Sequence, residues 1–158
     1  MNAPVLKSHA CRRREGGTAA VEFALLAPVL LVLLLFPIFF GRVFWHYTVA
    51  QKAAQDAARY MSTVSVQEMR STTLAQEAAK VAVSIAAAEL AELAPGSDIG
   101  DAIIQCGTLP CGSRAGYVPT TVRVAITFGI FDTFFGVIDT GRYGWDITAD
   151  ITVSYVGT

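Results

Sequence analysis

The residue with the strongest claim to chemistry is Glu22, a carboxylate set at the edge of an uncharged run, FALLAPVLLVLLLFPIFFG, over residues 23–41. A charged side chain at the centre of a membrane helix costs about 2.5–3.5 kcal/mol, and less near an end. Two readings follow: a carboxylate that snorkels to the headgroups, or a functional group that requires a partner charge. The second candidate is the pair Cys106 and Cys111 in CGTLPC. It reads as a disulfide, as two buried free thiols, or as half of a metal site. A zinc site needs more ligands, and the two histidines, His9 and His46, are poorly placed to supply them. Asp146 and Asp150 both alternate outward on one predicted strand and could be read as paired carboxylates, but solvated strand faces commonly carry Asp and Thr. The chain contains no G-x-S-x-G, H-E-x-x-H, phosphate-cradling glycine loop or EF-hand pattern. No catalytic residue, metal or cofactor is therefore assigned, and the chain is not read as an enzyme.

The elements that position these groups follow from where the apolarity lies. The 158 residues are 53% hydrophobic and 16% charged, with a net charge of −1. Soluble domains carry about 25% charged residues, and a nucleic-acid binder should show a basic face, so nucleic acid is not an expected partner. The uncharged run is long enough to cross a bilayer core, which takes roughly 20 apolar residues. It is too long for a removed signal peptide, and FFGRVFWHY is a poor cleavage site. Pro28 and Pro37 lie inside the run, and membrane helices tolerate such breaks. Lys7, Arg12, Arg13 and Arg14 precede it, which places the N-terminus in the cytoplasm and the bulk of the chain outside. Phe44, Trp45 and Tyr47 then fall at the far interface. On this topology Cys11 is on the reducing side and the CGTLPC pair in an oxidising compartment, which favours a disulfide between Cys106 and Cys111.

The junction RRREGGTAAVEF resembles a prepilin processing signal: a basic leader ending in glycine, then glutamate, an aromatic and a long apolar run. Within that class, GGTAAVEFALLAPVLLVLLLFPIFFGR resembles the opening of TadE-like proteins, the minor pilin-like components of the tight-adherence (Flp) pilus system. The resemblance covers residues 12 to about 60, and the remainder is similar to the family only in general layout. It implies that a prepilin peptidase cuts between Gly17 and Thr18, leaving Glu22 at the fifth mature position with Phe23 after it. Cutting after Gly16 would make Glu22 sixth. It also implies that the Glu22 carboxylate pairs with the new α-amino group of Thr18 on a neighbouring subunit, so that neither charge is left alone in apolar surroundings. The implied partners are the peptidase, other pilin-like subunits, an inner-membrane assembly platform and the lipid bilayer. The implied location is the bacterial inner membrane, with the C-terminal domain periplasmic. Unlike the very short major Flp pilins, this chain carries a sizeable outer part.

Beyond the run, Val43, Tyr47, Ala50, Ala54, Ala57 and Met61 form an apolar stripe, with Gln51, Lys52, Gln55, Asp56 and Arg59 opposite it. The spacing predicts an amphipathic helix continuing the anchor, its stripe facing its own core or a partner's groove. Ser65-Val66-Gln67-Glu68 predicts a capping box opening a second helix. Its expected stripe is Leu74, Ala78, Val81, Ile85 and Ala88, and its expected stop is Ala94-Pro95-Gly96. The period then changes to two. Strands are predicted near Ala102–Cys106, across Val122, Val124, Ile126 and Phe128, and across Trp145, Ile147, Ala149, Ile151, Val153 and Tyr155. Between the two long strands the apolar segment 129–144, with Phe131, Phe134, Phe135, Val137 and Ile138, either plugs the core or docks on a membrane or partner. The expected organisation is a leader over residues 1–17, a transmembrane helix over 18–42 and an extracytoplasmic α+β domain over 43–158. That domain is expected to hold about three antiparallel strands covered on one face by helices. Against the processed-subunit reading stands an uncleaved, signal-anchored module that binds an envelope partner, which needs neither Gly17 nor Glu22.

Overall fold

The computed structural model describes residues 16–93, 97–130 and 145–157. The basic leader up to residue 15, the Ala94-Pro95-Gly96 stop and residues 131–144 of the apolar segment lie outside the described residues. The chain divides into two compact units, up to Ile38 and from Phe39 onward. Helix α1, Gly16–Thr63, supplies residues to both and contains Pro28 and Pro37. Its part in the first unit buries almost nothing: Phe23, Leu25 and Leu33 are more than 60% exposed. Water does not tolerate so continuous an apolar surface on a folded protein. The helix is long and apolar enough to cross a membrane, with a mean hydropathy of 2.8 over its most apolar 18-residue window.

In the second unit the same helix becomes one-sided. Val43, Ala50, Ala54, Ala57 and Met61 are buried and Tyr47 half-buried, as the stripe predicts, and Ala53 and Ala58 widen it. The expected second helix is two helices. A capping box at Ser65 opens α2, Val66–Arg70, where Glu68 N–H donates to the Ser65 hydroxyl and Ser65 N–H donates to the Glu68 carboxylate. Ser71 ends α2 with an extended backbone, and its hydroxyl then accepts from Leu74 N–H to open α3, Thr72–Leu90. A serine that can satisfy a helix start makes a break cheap at that point.

The buried face of α3 is Ala75, Ala78, Ala82, Ala86 and Leu90, rotated about one residue from the expected stripe. Of that stripe only Ala78 is buried; Leu74 and Val81 are 45% and 44% exposed, Ile85 is half-buried and Ala88 is exposed. Larger aliphatics were expected to face the core, but the alanines of α1 and α3 share one buried cluster. A face of methyl groups packs backbone closer to backbone than a leucine stripe allows. The helix ends at Leu90, with Ala91 as its cap, ahead of the expected stop.

The sheet is antiparallel and has five strands, not about three: β1, Ser97–Ile99; β2, Ile103–Cys106; β3, Leu109–Pro110; β4, Thr121–Ile130; and β5, Trp145–Ser154. The two unforeseen strands are three and two residues long, too short to show a period. Strand β4 is central. On one side β1 pairs with its last three residues and β2 with Val122–Ala125; on the other β5 pairs along its whole length. Strand β3 extends β2. Val122, Val124, Ile126, Phe128 and Ile130 are buried on one face of β4, and Arg123 and Thr127 are exposed on the other. The architecture is α+β, with a candidate membrane span at its N-terminal end.

Ala82 is fully buried and its neighbour Val81 is 44% exposed, so the two positions report the core and the surface of α3. Ala82→Leu is expected to destabilise the second unit by about 1–3 kcal/mol through overpacking. Val81→Ala should stay within about 0.5 kcal/mol of wild type. Denaturant unfolding of the full chain in detergent, followed by circular dichroism, checks both.

Candidate functional site

The junction residues occupy the first turns of α1. Gly17 has open space where a β-carbon would stand, and Phe23 is 68% exposed. Thr18 and Glu22, four residues apart, lie one above the other on one side of the helix. Glu22 is exposed, and every residue from Phe23 to Leu26 is exposed with it. The helix start carries no acidic residue in its first turn. Glycine adds the least to helix stability of any residue but proline, about 1 kcal/mol less than alanine. The structure places Gly17, Thr18, Glu22 and Phe23 within two turns, and Cys106 and Cys111 in the second unit.

Cys106 and Cys111 are joined by a disulfide, with Cα atoms 4.8 Å apart. Both are buried. The bond closes the β2–β3 hairpin, whose turn takes Gly107 at φ 69°, a left-handed conformation that favours glycine. The following loop docks on the helices: Gly116 N–H donates to Arg70 C=O at 2.8 Å, and the Gln76 amide donates to Gly112 C=O at 3.4 Å. At Gly112, also left-handed, a β-carbon would collide with the Thr72 carbonyl. The disulfide therefore fixes the loop that bears on the start of α3.

Two polar arrangements escaped the sequence. On the exposed sheet face the Arg123 guanidinium grips Asp150 through Nε and Nη2, with Nε 2.9 Å from each carboxylate oxygen, while Nη1 donates to Gln105. Arg123 stands opposite Thr152 in register and reaches Asp150 diagonally. These hydrogen bonds hold the Asp150 carboxyl below its usual range and raise Arg123. Asp146, four residues from Asp150 along the strand, takes no part. Aligning the two strands by their alternation would have revealed the pair. The other is His46, the one polar side chain in the buried core of the described residues. Its Nδ1 donates to Arg42 C=O at 2.8 Å, which leaves Nε2 without a hydrogen-bond partner. No cluster of three or more His, Cys, Asp or Glu capable of holding a metal occurs among the described residues.

Residues 17–59, nearly the whole of α1, match the family model for TadE-like protein. This segment is similar to TadE-like proteins. The match begins at Gly17 and takes in Thr18, Glu22, the apolar run and the alanine face, and it stops before α2 and the sheet. No curated protein and no solved structure matches the chain. The TadE-like segment thus carries the junction, and the disulfide and the Arg123–Asp150 pair belong to the part that the family match does not reach.

Two outcomes follow. Because the folded Asp150 carboxyl lies below its unfolded value of about 3.9, its stabilisation is complete above that value and is lost as pH falls through the folded one. Asp150→Asn should flatten the stability–pH curve below about pH 4 and leave it unchanged in shape near neutrality, as read by thermal unfolding across pH. Replacing both Cys106 and Cys111 by Ser should cost about 2 kcal/mol, the loop-entropy figure for so short a loop. Denaturant unfolding with and without reductant checks it: reductant should destabilise the wild type and leave the double variant unmoved.

Proposed function

We propose that this protein is a minor pilin-like component of a tight-adherence (Flp) pilus system, acting structurally in pilus biogenesis and adhesion and not as an enzyme. The observation that carries the reading is the placement of Glu22. It is an exposed carboxylate at the start of an exposed apolar helix, four residues after Thr18, inside the TadE-like segment. A prepilin peptidase cuts between Gly17 and Thr18, removes the basic leader and creates an α-amino group with an unperturbed pKa of about 7.7–8.0. Anchored in the inner membrane with its N-terminus on the cytoplasmic side, the helix packs among those of other pilin-like subunits. There the Glu22 carboxylate of one subunit meets the Thr18 amine of its neighbour. In a medium where an unpaired carboxylate is expensive, that pairing sets the axial register of one helix against the next. The apolar surface of residues 23–38 faces lipid before assembly and helices after it. The periplasmic α+β unit contacts the assembly platform and the other subunits.

N-terminal sequencing and intact mass of the protein from native membranes, with and without the peptidase, test the processing step. A terminus at Thr18 is expected, lost without the peptidase or on Gly17→Val. An unchanged full-length mass in both strains would sink processing and return the protein to an uncleaved, anchored binding module. Glu22→Gln should leave cleavage intact and lower incorporation into sheared surface fractions by roughly tenfold or more, the scale of a lost buried charge pair. Wild-type incorporation of that variant would overturn the pairing.

A further inference from the structure

The two sides of the sheet end differently. Beyond β4 on one side are strands of three, four and two residues, the last containing Pro110. Short strands and proline are the usual means of blunting a sheet edge against pairing. On the other side the sheet ends in β5, whose ten register pairs with β4 run without a bulge. It contains no proline, glycine, lysine or arginine.

The hydrogen bonds show which backbone groups β5 has left over. Tyr155 N–H donates to Thr120 C=O at 2.9 Å, so residues of odd number on this strand exchange bonds with β4. The N–H and C=O groups of Asp146, Thr148, Asp150, Thr152 and Ser154 point the other way, and among the described residues no backbone bond meets them. All five side chains are exposed. The opposite face of β5 is incompletely covered: Ile147, Ile151 and Val153 are half-buried, whereas Val122, Val124, Ile126 and Phe128 beside them are fully buried. One more strand would both satisfy the edge and cover that row.

Charge says what kind of strand. Antiparallel pairing of β5 with a second copy in full overlap, residue 146 opposite 154, sets Asp150 against Asp150, and parallel pairing in register opposes both aspartates to themselves. Like charges directly opposite are destabilising. The side of β5 already occupied shows what suits it: Arg123 grips Asp150, and the Thr127 hydroxyl meets the Thr148 hydroxyl at 3.2 Å. We propose that the free edge of β5 is a strand-addition site for an extended segment of another protein in which apolar residues alternate with arginine, lysine or threonine. Its backbone bonds to residues 146, 148, 150, 152 and 154, its basic residues face Asp146 and Asp150, and its apolar residues cover Ile147, Ile151 and Val153.

The test uses the full chain in detergent and two fluorescent peptides, RVTVRVTV and EVTVEVTV. In the protein alone, hydrogen exchange should find the amides of 148, 150 and 152 fast and those of 147, 149 and 151 protected. Equal protection of both sets would mean that the edge is already covered, by this chain or by a second copy, and would overturn the proposal. The basic peptide should bind saturably and slow exchange at 148, 150 and 152, and the acidic one should bind roughly tenfold or more weakly. Thr148→Pro removes an outward N–H together with the exposed hydroxyl contact to Thr127, and should abolish binding with little change in unfolding temperature. Thr152→Pro serves the same purpose should the first variant not fold. No saturable binding, equal binding of both peptides, or binding unaffected by a folded proline variant would each refute the assignment.

Discussion

The second unit rests on a core to which its two long helical faces contribute almost nothing but alanine. Ala50, Ala53, Ala54, Ala57 and Ala58 on α1 and Ala75, Ala78, Ala82 and Ala86 on α3 contribute only methyl groups to the core. Each methyl buries little surface, so its contribution comes from dense contact and from the low entropy cost of fixing a side chain without rotamers. The large side chains that fill the core come from the sheet and the ends of the helices: Phe128, Ile126 and Ile130 from β4, Met61 from α1 and Met69 from α2. The helical faces contribute methyl groups, and β4 supplies most of the bulk.

Polar contacts then lock this packing where helices and strands end. The Lys52 ammonium meets the Glu89 carboxylate at 2.6 Å, joining α1 to α3 across a solvent-exposed edge. Exposed pairs of this kind add little to stability, and its effect is better seen as orientation. Tyr155 matters more. Its hydroxyl donates to Val64 C=O at 2.6 Å, and partial burial raises its pKa. Val156 and Gly157 N–H both donate to Ser62 C=O at 3.1 Å. Carbonyls at the end of a helix have no partner within it, and here the chain following β5 provides one.

How much of this was legible in the residues depended on whether a signal had length. The apolar run, the α1 stripe and the alternation of β4 and β5 repeat over many residues, so period alone placed them. Ser65 and Glu68 were legible because a capping box needs only four positions of defined type. The rotation of the α3 stripe was not legible, since alanine is read as apolar on either face and only the neighbouring helix decides which side goes inward. The break at Ser71 was hidden inside an unbroken helical pattern. Strands β1 and β3 owe their existence to β4 and to the disulfide hairpin, and no local preference announces them. At the junction, spacing brought out Glu22 and Gly17 because a charge beside an apolar run is conspicuous. Arg123 and Asp150 are separated by 27 positions, and only the register of two strands brings them together.

The clamp on the end of α1 also has a meaning in time. Tyr155 follows Val64 by 91 positions, so at about 5–20 residues per second a ribosome needs roughly 5–20 s to deliver the residues that close the helix it has already made. Until then the terminal carbonyls of α1 depend on water, and the alanine face lacks β4 and β5 beside it. The second unit therefore gains its last helix-end contacts only when its final residues are made. A chain interrupted before Tyr155 lacks the groups that meet the Ser62 and Val64 carbonyls.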